Sequence, residues 1–213
     1  MLTINEIFYS IQGESTFAGQ PCVFVRLTAC DLRCSWCDTQ HAFHDGQKRS
    51  LSEVIKEIES YKCQLIEITG GEPLLQNDVY PLMTHLSTHG CTVLLETGGH
   101  HSTDRVPSEV ITILDVKCPG SGESDRNDLT NLNRLRQGDE LKFVIKDRED
   151  YDFACDVMQR HAVAERATTV HFSPVHGVLD PKQLSEWILA DRLQVRLQLQ
   201  AHKYIWGPTT RSV

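Results

Sequence analysis

Apolar positions along the chain follow two spacings. Residues 22–28 (CVFVRLT), 65–69 (LIEIT), 92–96, 111–116, 141–146, 168–173 and 195–199 are short apolar or alternating runs, and each predicts a strand. Between them the spacing turns helical over residues 50–61, 77–89, 147–161 and 182–189. Ser50 and Glu53 are spaced as a capping box, and Gly90 stops the second helix. Residues 98–108 are too polar and too few for a good helix, and the polar stretch 119–133 (PGSGESDRNDLTNLN) reads as a surface loop. Strands alternating with helices predict an α/β fold with a parallel sheet under helices. Seven strands in 213 residues are too few for a closed eightfold barrel, which takes about 250 residues. The expected architecture is therefore a partial, open parallel β/α barrel with its functional loops at the C-terminal strand ends. No repeat or linker divides the chain, so residues 1–213 are expected to form one domain.

Composition narrows the function classes. Hydrophobic residues make up 40% and charged residues 23%, enough to bury a core. Lys plus Arg number 21 and Asp plus Glu 29, a net charge of −8, which argues against non-specific nucleic-acid binding. No apolar run approaches about 18 residues, so no membrane span is expected. The start, MLTINEIFYS, lacks a basic segment and an apolar stretch, so no signal peptide is expected and the chain is assigned to the cytosol.

Eight cysteines are many for a cytosolic chain, where a disulfide framework is not expected. Cys22, Cys63, Cys91, Cys118 and Cys155 are scattered and receive no role. Cys30, Cys34 and Cys37 form a C-x3-C-x2-C array where the first strong strand ends. Three thiolates in one tight loop can wrap a metal centre. Structural zinc wants four ligands, with His41 or His44 as conceivable fourths. A four-iron cluster is the better match, because three cysteines leave one iron open to a non-protein ligand. Three packing cysteines are the bland alternative. After the next strand comes Thr69-Gly70-Gly71-Glu72-Pro73, whose glycines let the backbone approach a ligand closely.

The cysteine array after the first strand of a partial barrel resembles the radical S-adenosylmethionine superfamily. Trp36 stands where that superfamily has an aromatic residue near the adenine, and the GGEP run resembles its loop for the methionine amino group. Further motifs resemble the 7-carboxy-7-deazaguanine synthase family: Glu6 to Glu14 (EIFYSIQGE), Phe24 to Leu27 (FVRL), Cys37-Asp38-Thr39, Glu96-Thr97-Gly98 and the ending His202 to Gly207 (HKYIWG). The resemblance runs from about residue 4 to the C-terminus. It implies an α/β partial barrel of the radical S-adenosylmethionine type. It implies a carbon–nitrogen lyase that converts 6-carboxy-5,6,7,8-tetrahydropterin to 7-carboxy-7-deazaguanine with loss of ammonia, a step toward queuosine. A 4Fe-4S cluster, S-adenosyl-L-methionine and Mg2+ are the implied cofactors. A flavodoxin- or ferredoxin-like electron donor and a homodimer are the implied partners.

Roles follow residue by residue from that resemblance. Cys30, Cys34 and Cys37 match the cluster ligands and Thr39 the magnesium position. Trp36, Cys37, Asp38, Gly71, Asp115 and Lys117 are candidates for S-adenosylmethionine, although Asp115-Val116-Lys117 departs from the Ser-Pro-Lys of some relatives. Ile11, Gln12 and Gly13 match the substrate loop. Arg26, Thr69, Glu96 and His202 match substrate positions. By alternation Arg26 shares a strand face with Cys22 and Phe24, and Thr69 shares one with Leu65 and Glu67. Ser15 stands where relatives usually carry glycine, and the cysteine loop lacks the long insert of some relatives. No protein acid or base is indicated, and His100 and His101 are read as solvated loop residues. Two rivals remain: a glycyl-radical-enzyme activase of the same superfamily, and a zinc-binding structural or regulatory module.

Overall fold

The computed structural model describes residues 1–163 and 168–213. Nine strands form one open sheet: β1 (Leu2–Ile11), β2 (Pro21–Leu27), β3 (Gln47–Arg49), β4 (Leu65–Gly70), β5 (Thr92–Thr97), β6 (Ile111–Val116), β7 (Glu140–Ile145), β8 (Thr169–Pro174) and β9 (Arg196–Leu197). Their order is β3-β1-β2-β4-β5-β6-β7-β8-β9. From β2 outward through β9 every pairing is parallel, and these are the seven strands the apolar pattern predicts. The sheet curls without closing, which is the partial barrel.

Four of the helices fall where the spacing places them: α1 (Leu51–Ser60), α2 (Val79–Thr88), α3 (Arg148–Arg160) and α4 (Pro181–Ala190). The Ser50–Glu53 capping box is formed in both directions. Ile66, Ile68, Val93 and Leu95 point outward from the sheet into the core under α1 and α2. Leu141, Phe143, Val170 and Phe172 do the same under α3 and α4. The opposite sheet face turns inward. Its lower layer is apolar, with Cys22, Phe24, Leu65, Leu94 and Ile113 packed together. Polar side chains occupy the same face one pleat higher, and that layer builds the site.

Three elements escape the sequence reading. β1 runs antiparallel to β2 with a register shift between Ile4 and Glu6. Before that bulge Leu2 and Ile4 enter the outer core; after it Ile7 does, while Phe8 turns inward with Phe24. An extra residue thus reverses the alternation within one strand. β3 is a polar edge strand paired to β1 and carries no apolar signal. α5 (Ala201–Ile205) is a single short turn of helix.

Residues 119–133 are not a plain surface loop. They hold three short 3-10 turns with Ser121, Asn131 and Leu132 buried. The reason is long-range: Ser35 donates to the Ser121 and Gly120 carbonyls at 3.0 and 2.8 Å, and Arg33 N–H to Glu123 at 2.6 Å, so this segment clamps the cysteine loop. Residues 98–108 are irregular, as expected. No helix among the described residues is long and apolar enough to cross a membrane.

Candidate active site

A cavity of about 600 Å³ opens at the C-terminal ends of the parallel strands. All the residues singled out from the sequence line it: Ile11, Gln12, Gly13, Arg26, Cys30, Cys34, Trp36, Cys37, Asp38, Thr39, Thr69, Gly71, Glu96, Asp115, Lys117 and His202. They come from segments far apart in the chain, and the curl of the sheet brings them together.

The cysteine loop leaves the end of β2. Cys30, Cys34 and Cys37 are half-buried and unpaired with one another as disulfides. Burial pushes all three thiols up, Cys34 to about 11. Such neutral thiols lining one cavity suit a metal centre, because coordination removes their protons outright. Three of them in one loop, with no fourth cysteine in it, fit a four-iron cluster with one open iron. His41, the conceivable fourth zinc ligand, lies instead 3.3 Å from Glu6 Oε1.

The GGEP turn packs directly on this loop. Glu72 N–H donates to the Ala29 carbonyl at 2.8 Å and Gly71 N–H to Leu27 at 3.1 Å. A Cβ on Gly71 would lie 2.0 Å from the Ala29 carbonyl oxygen. The close approach that demands glycine here is therefore to the cysteine loop. Glu72 is fully buried and accepts from Leu74 N–H, Thr97 Oγ1 and Gly98 N–H. It ties the turn to the end of β5. His100 is not solvated: its side chain is 2% exposed and Nε2 lies 2.6 Å from Asp31 inside the cysteine loop. His101 approaches the same carboxylate at 3.3 Å.

On the next strand Lys117 pairs with Asp115 at 2.7 Å, while Asp115 Oδ1 is buried without a partner. An orphaned acceptor facing the cavity fits a polar ligand such as the amino acid or ribose part of S-adenosylmethionine. Thr39 Oγ1 donates to Asp38 at 2.9 Å, and Asp38 pairs with Lys203 at 2.7 Å. Burial opposes ionisation of Asp38, but the Lys203 ammonium holds its carboxyl well below the ordinary range. Two protein oxygens are too few for magnesium, which fits only with substrate and water completing its shell.

The opposite wall is the substrate candidate. Arg26 Nε donates to Glu6 at 2.6 Å, which leaves the outer edge of the guanidinium open to a ligand. Thr69, the registered neighbour of Arg26 on β4, donates to Glu96 at 3.3 Å. Lys142 on β7 donates to Glu96 at 2.7 Å and pairs with Glu14 at 2.5 Å. Burial alone would raise the Glu96 carboxyl; Lys142 brings it below its ordinary value. Gln12 donates its side-chain amide to Glu67. The C-terminal segment closes the wall: Ala201 N–H bonds the Gly13 carbonyl at 3.0 Å, and a Cβ on Gly13 would strike His202 Nδ1. Ser15 sits at φ +63, a left-handed position glycine would take without strain, and its hydroxyl accepts from Phe17 N–H.

Sequence reasoning passed over Glu14, Glu67, Lys142 and the role of Glu72. Glu67 and Lys142 were visible only as polar residues alternating with apolar ones. Which of them face each other depends on strand order.

Residues 25–115 match the model of the radical SAM superfamily. A 7-carboxy-7-deazaguanine synthase of Koribacter versatilis is 45% identical over the whole of both chains. One of Chlorobaculum tepidum is 43% identical over all of this chain and 97% of its own. The chain belongs to the 7-carboxy-7-deazaguanine synthase family. In fold this family member is similar to the crystal structure of QueE from Escherichia coli, with a TM-score of 0.78, 24% identity and 94% of each chain covered.

Proposed function

We propose that the chain is the carbon–nitrogen lyase that converts 6-carboxy-5,6,7,8-tetrahydropterin to 7-carboxy-7-deazaguanine with release of ammonia, in the route to queuosine and related 7-deazapurines. The observation that carries this reading is one cavity lined by both a three-cysteine loop and a wall suited to a carboxylated, aminopyrimidinone-bearing ring. When bound, the four-iron cluster and S-adenosyl-L-methionine supply one-electron reduction and hydrogen-atom abstraction.

The protein's own part is binding, orientation and exclusion of water. Cys30, Cys34 and Cys37 hold the cluster. Gly71, Trp36, Asp38, Asp115 and Lys117 surround S-adenosylmethionine. Arg26 grips the substrate carboxylate through its free edge. Thr39 would offer its hydroxyl as a ligand to magnesium, which would supply positive charge beside that carboxylate. Glu96, kept ionised by Lys142, accepts from the ring's N–H donors, with Thr69, His202 and the Ile11-Gln12-Gly13 segment completing the wall. The C-terminal residues Gly207, Pro208 and Thr210 to Val213 also line the cavity, which favours a small substrate over the protein loop that a glycyl-radical activase must admit. A homodimer in the cytosol, reduced by a flavodoxin- or ferredoxin-like donor, completes the reading.

The test is anaerobic reconstitution followed by incubation with the pterin, S-adenosylmethionine, magnesium and reductant. The expected product is 7-carboxy-7-deazaguanine with stoichiometric ammonia. A fully cluster-loaded protein that forms none overturns the assignment.

A further inference from the structure

The cavity floor holds more carboxylates than cations. Glu14 follows β1, Glu67 stands in the middle of β4, and Glu96 lies near the end of β5. A single ammonium, Lys142 Nζ, serves Glu14 at 2.5 Å and Glu96 at 2.7 Å. Glu67 is 4% exposed, and its hydrogen-bond partner is the Gln12 amide. Among the described residues no lysine, arginine or histidine lies within ion-pair distance of it.

The charged and titratable groups around Glu67 can be taken element by element. Glu14 faces it from beyond β1, Cys22 from β2, Glu96 from β5 and Lys142 from β7, and Arg26 of β2 lines the same cavity. Arg26 is engaged by Glu6, and Cys22 is a neutral buried thiol. At the end of β6 Lys117 is tied to Asp115, and His202 of α5 stands beyond Glu14. Three ionised carboxylates against one ammonium would leave a net charge of about −2 on a half-buried floor where Glu67 itself is almost fully withdrawn from water, which desolvation and mutual repulsion disfavour. The least costly relief is one proton on the carboxyl that lacks a cation. Burial, then the Glu96 and Glu14 charges, push Glu67 up to about 8.

A protonated carboxyl both accepts and donates. Here the Gln12 amide occupies an oxygen of Glu67, and Gln12 cannot flip because its own oxygen accepts from Glu14 N–H at 3.1 Å. The O–H is left for the cavity. An aminopyrimidinone edge carries two adjacent donors, N3–H and the 2-amino group, flanked by two acceptors, the carbonyl oxygen and a ring nitrogen, so a floor of acceptor-only carboxylates would match only its donor half. We propose that Glu67 binds substrate as a neutral carboxylic acid, donating a hydrogen bond to a carbonyl or ring-nitrogen acceptor of the pterin, with Gln12 as its positioning residue. This assignment rests on the pterin reading above.

Two measurements test it on cluster-loaded protein without oxygen. The first is infrared difference spectroscopy between about pH 6 and pH 10, a range spanning the raised carboxyl. The wild type should lose the carbonyl stretch of a protonated carboxyl, and Glu67→Gln should lack that band. The second is calorimetric affinity for 6-carboxytetrahydropterin across the same range. Above its titration point Glu67 must be reprotonated on binding, so the wild-type Kd should rise by about tenfold per pH unit. Glu67→Gln keeps an N–H donor and should lose that slope relative to wild type. Glu67→Leu should bind weakly at every pH; should it fail to fold, the other two arms still decide. An absent wild-type band overturns the proposal, as does an equal pH slope in wild type and Glu67→Gln. A wild type that binds no pterin at any pH overturns the functional reading and the donor role together, while the infrared band separately decides whether Glu67 holds its proton.

Discussion

Replacing Glu72 with glutamine changes one atom and should expose what the GGEP turn depends on. Both oxygens of Glu72 are committed. One accepts from Leu74 N–H at 2.9 Å and Thr97 Oγ1 at 2.8 Å; the other accepts from Thr97 Oγ1 at 2.9 Å and Gly98 N–H at 2.8 Å. The glutamine –NH2 can take either position, and each faces a backbone N–H. One hydrogen bond to a charged acceptor disappears, worth about 1.5–3 kcal/mol, and a buried N–H is left facing another donor, at about 1–3 kcal/mol. These losses overlap, so the expected destabilisation is about 3 kcal/mol. For a chain of this length that lowers Tm by about 6–12 °C. The assay is thermal unfolding of matched, cluster-loaded proteins, with S-adenosylmethionine affinity measured alongside. If Glu72 is a strut, stability and affinity fall together, because Gly71 loses its tie to β5. A variant within about 1 °C of wild-type Tm refutes the reasoning. So does a variant that loses only affinity, which would make Glu72 a direct ligand.

Other expectations are simpler. Lys142→Met leaves Glu96 without its ammonium, which should destabilise the protein by about 3 kcal/mol at neutral pH, the low end for a broken buried pair because Glu96 is partly open to the cavity. Lys142 lowers the Glu96 carboxyl, so its contribution is fully present above the ordinary carboxylate range and is lost only as pH falls through the lowered folded-state value; urea titrations showing the same loss at pH 7 and about pH 3 would refute the pairing. Cys34→Ala should retain its circular dichroism but bind far less than the about four irons per chain of a full cluster; a full cluster in the variant refutes the ligand assignment. Thr39→Ala should raise the magnesium concentration for half-maximal activity by on the order of tenfold, and an unchanged response refutes the ligand role.

The alternation of Cys22, Phe24 and Arg26 on β2, and of Leu65, Glu67 and Thr69 on β4, made the inner face of the barrel legible before any topology was known. Period-two patterning reports which residues share a face, and in a parallel sheet that is nearly enough to draw the site's wall. It fails where the period itself breaks. The bulge after Ile4 moves the buried set of β1 from Leu2 and Ile4 to Ile7, so no single alternating template fits the strand. The polar run 119–133 fails for another reason: its order comes from Ser35 and Arg33, about ninety residues away, and no local signal encodes them.

The same limit governs the chemistry. Arg26, Thr69 and Glu96 could be assigned by motif, because each is recognised by its immediate neighbours in the chain. The proton balance of the cavity could not. Glu14, Glu67 and Glu96 lie on three separate segments, and Lys142 lies about fifty residues beyond the last of them. Only the strand order β1-β2-β4-β5-β6-β7 brings one ammonium within reach of two carboxylates and withholds it from the third. The net charge of −8 says nothing of this, since exposed acids dominate it. What decides whether Glu67 is a donor or an acceptor is the local count of charges around a buried carboxyl. That count is a property of topology, which is why Glu67, the cavity carboxyl without a cation of its own, was one the motifs left unmarked.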